Sequence, residues 1–129
     1  MKTGFTMTSK FVHSRIASFG YAFKGISLFY RTQANARIQF FAAILAVGFG
    51  IWLEIPLLEW AVIVICIAMV LGAELLNTAI EALADAVDTN PNTQIGMAKD
   101  LAAGAVFITA AGSAVAGAFI FIPKIIELC

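Results

Sequence analysis

The sequence predicts an all-α integral membrane protein with three transmembrane helices and an amphipathic surface helix at its N-terminus. The 129 residues are 61% hydrophobic and only 12% charged, whereas a soluble domain carries about 25% charged residues. Three apolar stretches are separated by loop signals that contain proline. As helices, the second and third are long enough to cross a hydrocarbon core about 30 Å thick, and the first is slightly short.

The N-terminal segment predicts an amphipathic helix over about residues 10–31. Apolar side chains recur there every three or four positions, which places them on one face of an α-helix. They are Val12, Ile16, Phe19, Phe23, Ile26 and Tyr30. We expect residues 1–9 to be frayed, and Gly20 and Gly25 favour a break in the helix. The basic and aromatic composition favours a position at the bilayer interface over the alternative, a soluble helix packed on a core.

Three transmembrane helices are predicted over about residues 34–53, 60–87 and 98–123, and all 129 residues are interpreted as one membrane domain. The first ends before Pro56, because the residue that precedes a proline is biased away from the α region. The second would be about 42 Å long, so its C-terminal end should extend into water. The third closes at Pro123 and is rich in glycine and alanine, which allow helices to approach closely in lipid.

The distribution of charge predicts a cytoplasmic N-terminus and an external C-terminus. Six basic residues precede the first acidic residue, Glu54. Basic residues accumulate on the cytoplasmic side of membrane proteins. They are Lys2, Lys10, Arg15, Lys24, Arg31 and Arg37. Because they are spread out and match no nucleic-acid motif, a membrane surface is the expected partner, and nucleic acid is not.

A polar stripe follows the second predicted span from Glu74 towards its C-terminal end. At 100° per residue, Asn77, Glu81, Asp85 and Asp88 all lie within about 60° of Glu74 around the helix. Ionisable side chains inside a membrane are costly and indicate a functional site. The helical rise puts Glu81 about 10 Å nearer the cytoplasm than Glu74. The stripe is therefore expected to run from the membrane interior to the cytosol.

Lys99 and Asp100 begin the third span on the same side of the membrane, close enough to join this site. Carboxylates beside a lysine suit Mg²⁺ and the phosphates of a nucleotide. Phosphoryl transfer to an alcohol needs such neutralisation of charge and a base for the hydroxyl group. The sequence has no GxxxxGK[ST] loop, so an ATP site here would be unconventional.

Other interpretations of these residues stay open. Asn77 is also explained as a hydrogen-bond partner between helices, and Asp85 as part of a solvated helix end. A function of another class is a non-catalytic oligomeric membrane protein or a small channel with a carboxylate-lined path. A channel would need polar side chains along the whole span, whereas Trp60–Ala73 is apolar.

The segment Glu74–Asp85, ELLNTAIEALAD, resembles the signature of the small prokaryotic diacylglycerol kinases, a family that includes undecaprenol kinases. Residues 98–106 resemble a second block of that family, and residues 20–25 and 35–38 resemble its N-terminal blocks. The resemblance implies a homotrimer in the bacterial cytoplasmic (inner) membrane. It also implies ATP- and Mg²⁺-dependent phosphorylation of a lipid alcohol, either diacylglycerol or undecaprenol.

The resemblance also implies roles for single residues. The general base of the family matches Glu74, and its metal-binding glutamate matches Glu81. Where many members carry a second metal-binding glutamate, this chain has Gln33, whose amide oxygen is a weaker ligand. The nucleotide contacts of the family match Tyr21, Glu81, Lys99 and Asp100, and its supporting polar positions match Asn77 and Asp85.

Overall fold

The structure is a computed structural model that describes residues 3–129, with side chains from residue 7 onward. It contains four helices: α1 (Thr3–Thr32), α2 (Ala34–Trp52), α3 (Leu57–Val87) and α4 (Thr93–Leu128). The last three are long and apolar enough to cross a membrane. The prediction of an all-α protein with three such helices after an N-terminal helix is confirmed.

Helix α1 differs in two respects from the helix predicted at the N-terminus. Residues 3–9 are helical where fraying was expected, and the helix continues without a break through Gly20 and Gly25. A glycine costs a helix about 1 kcal/mol relative to alanine, and the hydrogen bonds of the turns on both sides offset that cost. The apolar stripe is exposed, with Phe19 at 68% and Phe23 at 70%. Such exposure suits contact with lipid better than packing on a core.

Contacts divide the chain into two units, residues 1–34 and Asn35–Cys129. In the second unit, α3 and α4 pack side by side. The five residues between them form a short connection, and Asn92 caps α4 by accepting hydrogen bonds from the backbone N–H groups of Gln94 and Ile95. This cap satisfies N–H groups that a helix end otherwise leaves unpaired. Helix α4 consequently begins at Thr93, earlier than the sequence pattern predicted.

Helix α2 ends in a Schellman motif formed without glycine. Glu54 has a left-handed backbone, with φ at 50°. The N–H of Ile55 donates to the carbonyl of Gly50, and the N–H of Glu54 donates to that of Ile51. These bonds satisfy carbonyl groups at the end of the helix and turn the chain towards α3. Gly50 is required by packing, because a Cβ atom there would lie 2.7 Å from the Trp60 ring.

A small apolar cluster and an ion pair join the helices at this end of the unit. Ile55, Ile63 and Ile120 form the cluster. Lys124 lies 3.1 Å from Oε1 and 3.0 Å from Oε2 of Glu59, in the first turn of α3. Helix α4 passes through Pro123 and continues to Leu128, beyond the end predicted for the third span. Proline removes one helical N–H donor, and the Lys124–Glu59 pair stabilises the turn that follows.

Candidate active site

The polar stripe of α3 begins at two buried side chains. Among the side chains of residues 7–129, the buried polar ones are Glu74, which is 4% exposed, and Asn77, which is 8% exposed. Burial of a carboxyl group without an opposite charge is unfavourable, because the charged form loses its hydration. A group retained at such a cost is a candidate for a functional role.

Asn77 connects the buried part of the stripe to its exposed part. Its Nδ2 atom donates to Oε1 of Glu81 at 3.3 Å. An ionised carboxylate only accepts hydrogen bonds, so the amide nitrogen must face Glu81 and the amide oxygen must point elsewhere. That oxygen, Oδ1, is buried and has no hydrogen-bond partner among the described residues. An unsatisfied buried acceptor costs about 1–3 kcal/mol, so a donor that reached this oxygen would stabilise the site.

An ion pair joins α3 to α4 beyond Glu81. The Lys99 Nζ atom lies 2.7 Å from Oδ1 of Asp85. The pair is accessible to solvent, with side-chain exposures of 37% for Lys99 and 68% for Asp85. A lysine ammonium carries three N–H donors, so those not used by Asp85 are free to bind an anion. Asp85 therefore directs Lys99 towards the exposed end of the stripe.

The structure brings together five of the predicted site residues, all within the unit Asn35–Cys129. They are Glu74, Asn77, Glu81, Asp85 and Lys99. Asp100 is exposed at the next position after Lys99. Tyr21 and Gln33 belong to the first unit. Tyr21 is exposed on α1, and Gln33 is half-buried after its last residue, so their roles towards α3 stay predictions.

The oxygen ligands on α3 fit a magnesium ion that is shared with a nucleotide. Residues 3–129 contain no group of three or more His, Cys, Asp or Glu side chains that could hold a metal. Mg²⁺ keeps several waters and is commonly bound through one or two carboxylates together with substrate phosphates. The exposed carboxylate of Glu81 would provide such a partial ligand set, whereas Asp85 is paired with Lys99.

One polar residue was missed by the sequence analysis. Gln39 lies in the cytoplasmic half predicted for the first span, and its Oε1 atom is buried without a hydrogen-bond partner among the described residues. An amide within the apolar run IQFFAAILAVGFGIWL was the available signal.

The fold and this site together define a small membrane protein with three helices long and apolar enough to span a bilayer and with an acidic stripe that passes from buried to exposed positions on one of them. The profile of the prokaryotic diacylglycerol kinase family matches residues 20–121. Since the match covers most of its length, the chain belongs to this family. The resemblance and the prediction of a lipid kinase are thereby confirmed.

Individual relatives match most of the chain as well. It is 37% identical over 108 residues to the undecaprenol kinase of Bacillus subtilis, covering 84% of this chain and 88% of that protein. It is 31% identical over 106 residues to the diacylglycerol kinase of Escherichia coli, covering 82% and 81%. It is 32% identical over 114 residues to the diacylglycerol kinase of a Synechocystis strain, covering 88% of this chain and 65% of that longer protein.

Proposed function

We propose that the chain transfers the γ-phosphoryl group of ATP to the hydroxyl group of a membrane lipid alcohol, either diacylglycerol or undecaprenol. The observation that carries this proposal is the graded burial along one face of α3. Glu74 is buried, whereas Glu81 and Asp85 on the same face are exposed. A hydroxyl group that arrives from lipid meets a carboxylate in apolar surroundings, and phosphates that arrive from water meet the exposed end.

In this proposal Glu74 is the general base. The lipid hydroxyl group donates its proton to the Glu74 carboxylate while its oxygen attacks the γ-phosphorus, and ADP leaves. A positioned base contributes about 10²–10⁴-fold to such a reaction. Burial supports the role, because it places the carboxylate in apolar surroundings from which water is excluded.

The exposed residues hold the nucleotide and its ion. A bound Mg²⁺ ion would supply neutralisation of the charge on the phosphates. Glu81 would hold it, with Gln33 as a weaker second ligand, and the Asn77 amide orients Glu81 by its hydrogen bond. Lys99, held by Asp85, binds a phosphate oxygen. Tyr21, Glu81 and Asp100 complete the nucleotide contacts in this proposal.

The active form proposed here is a homotrimer in the bacterial inner membrane, with the N-terminus in the cytoplasm and both units acting as one kinase domain. Three helices are too few to surround the stripe and keep lipid from it. Large apolar side chains of α2, α3 and α4 are widely exposed, which supports contact with lipid and with other copies. The first third of the chain contains basic residues and no acidic residue, which supports a cytoplasmic N-terminus.

A channel receives less support than a kinase. On the face of α3 that carries Glu74, the preceding side chains are apolar and include Ile63, Ile67 and Val70. A path for ions would need polar groups there.

The proposal is tested by the release of ADP in detergent micelles that contain diacylglycerol, undecaprenol or a matched lipid without a hydroxyl group. We expect release only with a lipid alcohol and only until EDTA removes the divalent cation. Equal release with the lipid that lacks a hydroxyl group would contradict transfer to an alcohol.

A further inference from the structure

Helix α1 carries a continuous apolar stripe on its surface. Its members lie within about 40° of one line along the helix. They are Val12, Ile16, Phe19, Phe23, Ile26 and Tyr30. The large side chains are exposed, with Ile16 at 63% and Phe19 at 68%. From Val12 to Tyr30 the stripe is about 27 Å long at the helical rise. An exposed apolar surface of this length favours contact with an apolar phase.

The charged side chains of α1 are all basic. They are Lys10, Arg15, Lys24 and Arg31. The whole chain has equal numbers of acidic and basic residues, yet none of the acidic ones precedes Glu54. Lys10 and Lys24 are exposed and have no ion-pair partner among residues 7–129. The first unit therefore carries positive charge that its own side chains do not neutralise.

The cations flank the apolar stripe and do not interrupt it. From the centre of the stripe, Arg15 lies about 60° to one side and Lys24 about 120° to the other. The Arg15 guanidinium carbon lies 4.9 Å from the centroid of the Phe11 ring. A long basic side chain in this position covers apolar surface with its stem and keeps its charge at the edge. Headgroups lie at that edge when an amphipathic helix is half immersed in a bilayer.

We propose that α1 docks lengthwise on an anionic lipid surface, with the stripe among the acyl chains and the flanking cations at the headgroups. Charge complementarity selects this occupant, because a helix with four cations and no anion is attracted to a negatively charged leaflet. The same charges repel the α1 helix of a second copy. A neutral lipid surface would accept the stripe and leave the cations without partners.

Docking in this orientation agrees with the role proposed for Tyr21. Its side chain is 75% exposed and lies about 180° from the centre of the stripe. With the stripe in lipid, Tyr21 therefore faces the water from which a nucleotide arrives. The lipid surface would hold α1 in the rotation that presents this residue.

The proposed reaction would itself strengthen the docking, a consequence that rests on the proposed kinase function. Transfer of a phosphoryl group turns a neutral lipid alcohol into a phosphate monoester, which is an anion. Each product molecule thus adds to the negative charge that attracts α1. Phosphatidic acid, the phosphate ester of diacylglycerol, should hold α1 at least as well as another anionic lipid at the same surface density.

Hydrogen exchange of the full-length protein in lipid nanodiscs tests the docking. Discs of phosphatidylcholine are compared with discs in which one third of it is replaced by phosphatidylglycerol or by phosphatidic acid, without ATP or a lipid alcohol. We expect either anionic lipid to slow exchange of the α1 amides severalfold, and high salt to remove the difference by screening. Helix α4 has two basic and two acidic residues, so its peptides should exchange equally in all discs.

Two double variants separate the charges of α1 from its apolar stripe. Lys10→Gln with Lys24→Gln removes two exposed cations and keeps every residue of the stripe, whereas Lys10→Arg with Lys24→Arg keeps both charges. Each cation near an anionic surface strengthens binding about fivefold. The glutamine variant should therefore lose most of the effect of phosphatidylglycerol, and the arginine variant should retain it. All three residue types have similar helix propensities, so both variants should keep the wild-type circular dichroism.

Exchange of α1 at the same rate in neutral and anionic discs would overturn the inference, because protein contacts or the stripe alone would then hold the helix. An effect of phosphatidylglycerol that survives in the glutamine variant would overturn it too. Exchange needs no catalysis. Charge-dependent protection in a chain that phosphorylates no lipid alcohol therefore contradicts the proposed function and leaves the docking surface standing, whereas an active kinase without such protection contradicts the docking alone.

Discussion

The most specific prediction concerns the different roles proposed for Glu74, the general base, and Glu81, the metal ligand. Glu74→Gln keeps the size and shape of a side chain that is only 4% exposed, and it removes the acceptor of the hydroxyl proton. Loss of a general base should lower kcat about 10²–10⁴-fold. At 1.36 kcal/mol for each factor of ten, the barrier rises by about 2.7–5.4 kcal/mol.

The same substitution should leave the nucleotide site nearly intact. Glu74 and Glu81 are seven residues apart, about 10 Å along α3. A neutral amide is also less costly to bury than a carboxylate, so the folded protein should not be destabilised. We therefore expect Glu74→Gln to bind Mg-ATP about as tightly as wild type, with a thermal midpoint at least as high.

Glu81→Gln is the matched control, with the same chemical change on the same face of the same helix. It removes a proposed metal ligand, so Mg-ATP binding and turnover should both weaken. The assay is a titration of each purified variant with Mg-ATP, followed by isothermal calorimetry, alongside initial rates. If Glu74→Gln lost Mg-ATP binding while Glu81→Gln retained it, the two roles would be reversed. If both variants kept full activity, the stripe would not be the active site.

Three further predictions concern topology, assembly and the exposed ion pair. A periplasmic reporter fused after Cys129 should be active, and activity of a cytoplasmic reporter at that position would contradict the proposed orientation. Native mass spectrometry of active, solubilised protein should give the mass of a trimer, and an active monomer would refute the assembly. Lys99→Gln should raise the KM for ATP more than Asp85→Asn does, because solvent screens the exposed Lys99–Asp85 pair and the lysine keeps its charge without that partner. A larger effect of Asp85→Asn would contradict a phosphate contact by Lys99.

The three long helices were predictable because the sequence alone separates them. The chain has three apolar runs of membrane length, which are separated at Pro56 and at the Asn90-Pro91 loop signal. This pattern leaves few alternatives to three spanning helices. The stripe on α3 was equally predictable, since the angular positions of residues on one helix follow from its geometry. Most of the site residues that the sequence predicted therefore lie on the single helix α3.

Features that depend on contacts between helices were not predictable. Helix α4 continues past Pro123 and carries Lys124 to Glu59, a partner 65 residues away in sequence. The left-handed Glu54 occupies a position where the sequence pattern favours glycine. The burial of the Gln39 amide oxygen depends on side chains of other helices, which no local pattern encodes.

The measurement that tests the account most directly is the transfer of labelled phosphate from γ-labelled ATP to a lipid alcohol by the purified full-length chain. In mixed micelles with Mg²⁺, we expect a phosphorylated lipid that mass spectrometry identifies as the phosphate ester of the added alcohol. Its formation should fall at least about 10²-fold in Glu74→Gln. Absence of a phosphorylated product from every lipid alcohol offered to folded, helical protein would contradict the assignment of this chain as a kinase of lipid alcohols.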